Sequence, residues 1–127
     1  MSLKFVNSIA FVKDIDTAKA FYTEILGLKI VEDHGPFVLF EDHFALHQAH
    51  ELAVTVWGDD CLPDTAQPQG RQNLLLYFES EELEQLFARI KDQVKLIHPI
   101  RRQAWGQLVF RFYDPDGHVI EIGEPLR

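Results

Sequence analysis

The sequence predicts an α+β chain of two tandem βαβββ modules whose mixed sheets cup around a cavity. Three observations carry that prediction. The order strand, helix, three strands reads twice along the chain, and a stretch poor in apolar residues, Gly58 to Gly70, separates the two readings. Matching residues recur at matching points: Asn7 and Asn73 open the first strands, and Phe21 and Phe87 sit alike in the helices. Four strands with one helix cannot bury both faces of their sheet, so two such modules are expected to pair, within the chain or between chains.

From Lys4 to Lys13 the apolar, β-leaning residues Phe5, Val6, Ile9, Ala10, Phe11 and Val12 read as a strand. Asp14 or Asp16 caps the helix that follows, whose stripe is Ala18, Phe21, Tyr22 and Ile25 at i, i+3, i+4 and i+7; Gly27 stops it. Leu28 to Val31 is a strand, His34-Gly35-Pro36 turns, and Phe37 to Phe40 pairs with Phe44 to Gln48 across the turn Glu41-Asp42-His43. After the linker, Asn73 to Phe78 is a strand. Ser80 caps a helix with Glu81 and Glu82 in its first turn and Leu83, Leu86, Phe87 and Ile90 as its stripe. Val94 to Ile97 is a strand, His98-Pro99 begins an irregular return, and Leu108 to Tyr113 pairs with His118 to Ile122. Between those two strands, Asp114-Pro115-Asp116-Gly117 has the chemistry of a type I turn. The boundaries are therefore module 1 at about 4–57, a linker at about 58–70 and module 2 at about 71–124 of a single domain spanning 1–127.

With 127 residues, 46% of them hydrophobic, the chain can close a core without disulfides or a structural metal. Its 20 Asp and Glu against 12 Lys and Arg leave a net charge of −8, which repels phosphate backbones and anionic lipid heads and disfavours nucleic acid or a membrane surface as partner. No apolar run approaches the roughly 18 residues of a spanning helix, and the expected location is cytoplasmic. Cys61 is the lone cysteine and is expected to be a reduced thiol, unreactive beside Asp59, Asp60 and Asp64. There is no nucleophile elbow, phosphate loop or Cys/His dyad. His43 and His47 lie about 13 Å apart on a strand, so they do not share a metal ion.

The stretches Ala10-Phe11-Val12-Lys13-Asp14, Ala20-Phe21-Tyr22-Thr23-Glu24-Ile25-Leu26-Gly27-Leu28, Trp105-Gly106 and Asp114-Pro115-Asp116-Gly117-His118-Val119-Ile120-Glu121 together span nearly the whole chain. In them the sequence resembles the vicinal oxygen chelate superfamily, which includes glyoxalase I, bleomycin-resistance proteins, fosfomycin-resistance transferases and extradiol dioxygenases. The resemblance implies the glyoxalase/bleomycin-resistance-like fold and a homodimer. In metal-using members it also implies a divalent ion held by one ligand from the first and one from the last strand of each module. Carried onto this sequence those positions are Asn7, His47, Asn73 and Glu121. Amide oxygens are weak donors beside imidazole and carboxylate, which leaves His47 and Glu121 as the expected metal ligands, or else as a hydrogen-bonded pair without an ion.

By the same resemblance the strand entering the Asp114 turn points alternate residues into the cavity, so Trp105, Val109 and Arg111 join Asn7, Asn73 and Phe40 as expected ligand-binding residues. Arg111 either clamps an anionic group or neutralises Glu121. The leading expectation is a small-molecule-binding protein that holds its ligand in the barrel of a homodimer and needs no metal. The alternative is a divalent-metal-dependent lyase, isomerase or dioxygenase in which Glu121 is the catalytic carboxylate that moves a proton. A third possibility is a structural dimer whose cavity is filled by side chains.

Overall fold

A computed structural model describes residues 2–60 and 62–127. The expectations for Cys61 fall outside the described residues. The chain divides into two compact units, Met1–Gln69 and Gly70–Arg127, each carrying a four-stranded mixed sheet.

In the first unit β1 (Ser8–Val12) runs parallel to β4 (Phe44–Gln48), which is antiparallel to β3 (Phe37–Phe40), itself antiparallel to β2 (Ile30–Asp33). Asp14 caps α1 (Ile15–Ala20), accepting from the backbone N–H groups of Asp16 and Thr17. The helix widens at once into a π-helical turn, Phe21–Ile25. That turn drives Tyr22, fully buried, between Phe40 and Phe44, with ring centroids 6.0 and 5.2 Å away. Side chains alternate across a strand. Ala10, Val12, Val38, Phe40, Phe44 and Leu46 therefore face α1 as the core, while Ile9, Phe11, Phe37, Ala45 and His47 face the other way.

After β4 comes α2 (Ala49–Trp57), a helix where no element was expected. Its β-branched run Val54-Thr55-Val56 weakens the helical signal, and no side chain caps its first turn. Gln48, in the cap position, is engaged elsewhere: its Oε1 accepts from the Ile15 N–H at 2.7 Å and its Nε2 donates to the Lys13 carbonyl at 2.6 Å. Trp57 at the end of α2 lies against Phe11, with centroids 5.9 Å apart, so α2 reaches the sheet face opposite α1.

In the second unit β5 (Leu75–Glu79) runs parallel to β8 (Val119–Gly123), then come β7 (Leu108–Tyr113) and β6 (Lys95–Arg102), both antiparallel. Ser80 does not cap α3 (Leu83–Ile90) itself; its hydroxyl accepts from the Glu82 N–H just before the helix, and Glu84 supplies the first-turn acid. Phe87 meets Phe110 edge-on at 5.0 Å. Phe110, Phe112 and Ile120 are fully buried beneath α3, each contributing roughly 1.5–3 kcal/mol. β6 continues through Pro99 with two register shifts, which an edge strand tolerates because a missing N–H faces no partner. The hairpin turn closes with the Gly117 N–H on the Asp114 carbonyl at 3.0 Å, and Gly117 takes φ +85°, a left-handed position that favours glycine.

Candidate ligand-binding face

The two sheets present different chemistry on the faces turned away from α1 and α3. In the first unit this face is apolar and aromatic. His47 lies between Phe11 on β1 and Phe37 on β3, its ring 5.8 Å from that of Phe37. Its Nδ1 lies 3.0 Å from the Gln48 carbonyl, and a carbonyl only accepts, so Nδ1 carries the proton.

In the second unit the corresponding face is polar. Arg111 and Glu121 are cross-strand partners, and Arg111 Nε–H donates to Glu121 Oε1 at 2.7 Å with side chains only 23% and 11% exposed. Arg111 Nη1 lies 3.0 Å from His98 Nε2, and Nη2 donates to Gln103 Oε1 at 3.3 Å. His98 Nδ1 lies 2.7 Å from the Pro99 carbonyl. Nδ1 is therefore the protonated nitrogen, and Nε2 accepts from the guanidinium. All three Arg111 nitrogens are thus anchored, which fixes its plane over the sheet.

Beside Glu121 on β5 stands Tyr77, its register partner. The Tyr77 hydroxyl donates to Glu79 Oε2 at 2.5 Å and accepts from Gln107 Nε2 at 2.8 Å. Gln107 Nε2 also donates to the Glu124 carbonyl at 2.7 Å, and Gln107 Oε1 accepts from the Trp105 indole N–H at 2.8 Å. Partial desolvation, with the hydrogen bond to Glu79 next, holds the Tyr77 phenol above its ordinary range. Tyr77 and Trp105 nonetheless remain 43% and 59% exposed.

The structure brings together some of the expected site residues and separates others. Arg111, Glu121, Val109 and the Trp105 indole N–H belong to one polar face, Val109 fully buried opposite Gly123. Phe40, expected as a cavity wall, is 1% exposed on the α1 side and belongs to the core. Asn7 precedes β1 and Asn73 precedes β5, whereas the residues beside His47 and Glu121 in the ladders are Phe11 and Tyr77. Each asparagine lies four residues upstream of that partner, about 13 Å of extended chain. The donor set is a poor fit to a divalent ion: the Glu121 carboxylate is already bound by a guanidinium, and among the described residues no group of three or more His, Cys, Asp or Glu converges.

His98, Gln103, Tyr77 and Gln107 were missed by the sequence reading. Only the alternation of Gln107 with Val109 and Arg111 pointed at one of them. A separate cavity of about 380 Å³ opens at the start of α3, lined by Ser80, Glu81, Glu82, Leu83, Glu84, Gln85, Leu108 and Glu124.

The chain matches the family model described as a glyoxalase-like domain over residues 5–127. Among solved structures, that of a protein of unknown function from Agrobacterium tumefaciens str. C58 is 52% identical, with 99% of this chain and 97% of that one covered and a TM-score of 0.91. A glyoxalase/bleomycin resistance protein/dioxygenase from Nocardioides shares the fold at 21% identity, with 100% and 86% covered and a TM-score of 0.76. So does a lactoylglutathione lyase from Agrobacterium tumefaciens at 20% identity, with 98% and 95% covered and a TM-score of 0.70. No curated protein matches the chain in sequence.

Proposed function

Because the chain belongs to the glyoxalase-like domain family, within the vicinal oxygen chelate superfamily, we propose that it is a cytoplasmic small-molecule-binding protein that works as a homodimer without a metal ion. The ligand lies on the polar face of the second unit, with Trp105 and Arg111 in contact and Glu121 setting the orientation of Arg111. The observation that carries this is the Arg111–Glu121 pair at 2.7 Å. A carboxylate that would serve as a metal ligand or proton acceptor instead accepts from a guanidinium, and two further side chains hold that guanidinium in place. A preorganised polar group beside exposed aromatic rings is the ordinary make-up of a small-molecule site.

The test is the metal content of protein purified without chelator, with thermal shifts on adding Mn, Ni, Zn, Co or Fe(II), run beside His47→Ala and Glu121→Ala. A small-molecule library is then screened by thermal shift and by NMR on the metal-free protein. The expected outcome is no stoichiometric metal, no metal-dependent rise in Tm, and library members that shift resonances of Trp105 and the Arg111 side chain. Near-stoichiometric metal, or a metal-dependent stabilisation abolished by both substitutions, would overturn it in favour of a metal-dependent lyase, isomerase or dioxygenase.

A further inference from the structure

Gln107 is 4% exposed and is the hub of the polar face. Its side chain reaches from the start of β7 over Gly123 on β8 to Tyr77 on β5, a path open only because residue 123 has no Cβ: one built there would stand 2.5 Å from Gln107 Nε2. One buried carboxamide thus fixes two exposed aromatic side chains, Trp105 through its indole N–H and Tyr77 through its hydroxyl. Exposed aromatic side chains ordinarily sample several rotamers; these two have already lost that freedom, which lowers the cost of ordering them around a ligand.

The charge at this place is also defined. Glu79 lies next to Tyr77 on the same face; its Oε2 accepts from the Tyr77 hydroxyl at 2.5 Å and from the Leu126 N–H at 3.5 Å, and no lysine or arginine is paired to it among the described residues. The nearby charges do not cancel it. Glu121 is neutralised by Arg111, Glu124 accepts from the Leu108 N–H, and Arg102 is turned onto the Gly106 carbonyl. The chain as a whole carries −8, which favours a cation over an anion as the ligand.

We propose that Trp105, Tyr77 and Glu79 form a subsite for an organic cation, an ammonium or quaternary ammonium group flanked by the two rings and countered by the carboxylate. This rests on the small-molecule reading above and names its ligand class. Aromatic faces with a nearby carboxylate suit such a group because the ring quadrupole and the anion both attract it, while neither demands a directed hydrogen bond.

The experiment titrates the full-length protein with benzyltrimethylammonium and choline, with dimethylbutanol as the uncharged isostere of choline, and with benzoate. Binding is read by calorimetry and by the indole N–H resonance of Trp105 in a Trp57→Phe background. The expected result is saturable binding of the two cations, at least roughly fivefold weaker binding of the alcohol and of benzoate, and a similar loss for the cations in Glu79→Gln and Trp105→Ala. Glu79→Gln preserves shape, so it remains informative if Trp105→Ala fails to fold by circular dichroism.

Preference for the alcohol or for benzoate at the same resonance overturns the cation assignment and leaves the small-molecule reading standing. Absence of saturable cation binding overturns the assignment alone, because the library screen decides the broader reading independently.

Discussion

Gly123 and Gln107 explain each other. A methyl group at 123 would meet Gln107 Nε2 at 2.5 Å and Val109 Cγ1 at 3.1 Å, so Gly123→Ala expels the carboxamide from its bridge. We expect roughly 1–3 kcal/mol lost in chemical denaturation, together with loss of the Trp105 indole hydrogen bond by NMR. Arg111 and Glu121 form a pair in which either partner alone is left partly buried and unmatched. Arg111→Ala and Glu121→Ala should each destabilise, and the double substitution should cost less than their sum by a coupling on the order of 1–2 kcal/mol. Additive losses would mean that the pair contributes nothing of its own. Tyr77 gives a pH signature. Its phenol is raised above 10.0 in the fold, so the native state keeps a proton that the unfolded chain has lost. Stability is therefore retained in full below that value and falls as pH rises from it through the folded range. A late component of phenolate absorbance should accompany this and vanish in Tyr77→Phe.

At the scale of elements, the β7–β8 hairpin shows how a turn motif holds a site. Asp114 Oδ1 accepts from the N–H groups of both Asp116 and His118 at 2.9 Å, and this turn sets the register that puts Arg111 opposite Glu121. Asp114→Ala removes the acceptor of two amides in a buried turn and should cost roughly 1–3 kcal/mol. Faster amide exchange through Leu108–Tyr113 and Val119–Gly123 is the measurement that checks it. The Asp114 turn was legible because proline and glycine at fixed offsets specify one backbone path. The helix Ala49–Trp57 was not, since its would-be cap Gln48 is committed to Lys13 and Ile15, residues more than thirty positions away.

Over the whole molecule, one element order occurs twice, yet the two sheet faces differ in kind: Phe11, Phe37 and His47 on one, Tyr77, Glu121 and Arg111 on the other. Under the proposed homodimer, sedimentation should give twice the 14.7 kDa chain mass at micromolar concentration; a monomer throughout would contradict it. The duplication, the strand-helix-three-strand order, the stripes Ala18, Phe21, Tyr22, Ile25 and Leu83, Leu86, Phe87, Ile90, and the hairpin turn are legible from residue order, because each is written in residues close along the chain. Which side chains meet depends on the folded sheet. Ladder register puts Tyr77 rather than Asn73 beside Glu121, sends Phe40 to the core, and brings His98 and Gln103 onto Arg111. A slip of one residue exchanges the two faces of a strand, and nothing local in the chain records which register wins; packing of the whole sheet against its helix selects it.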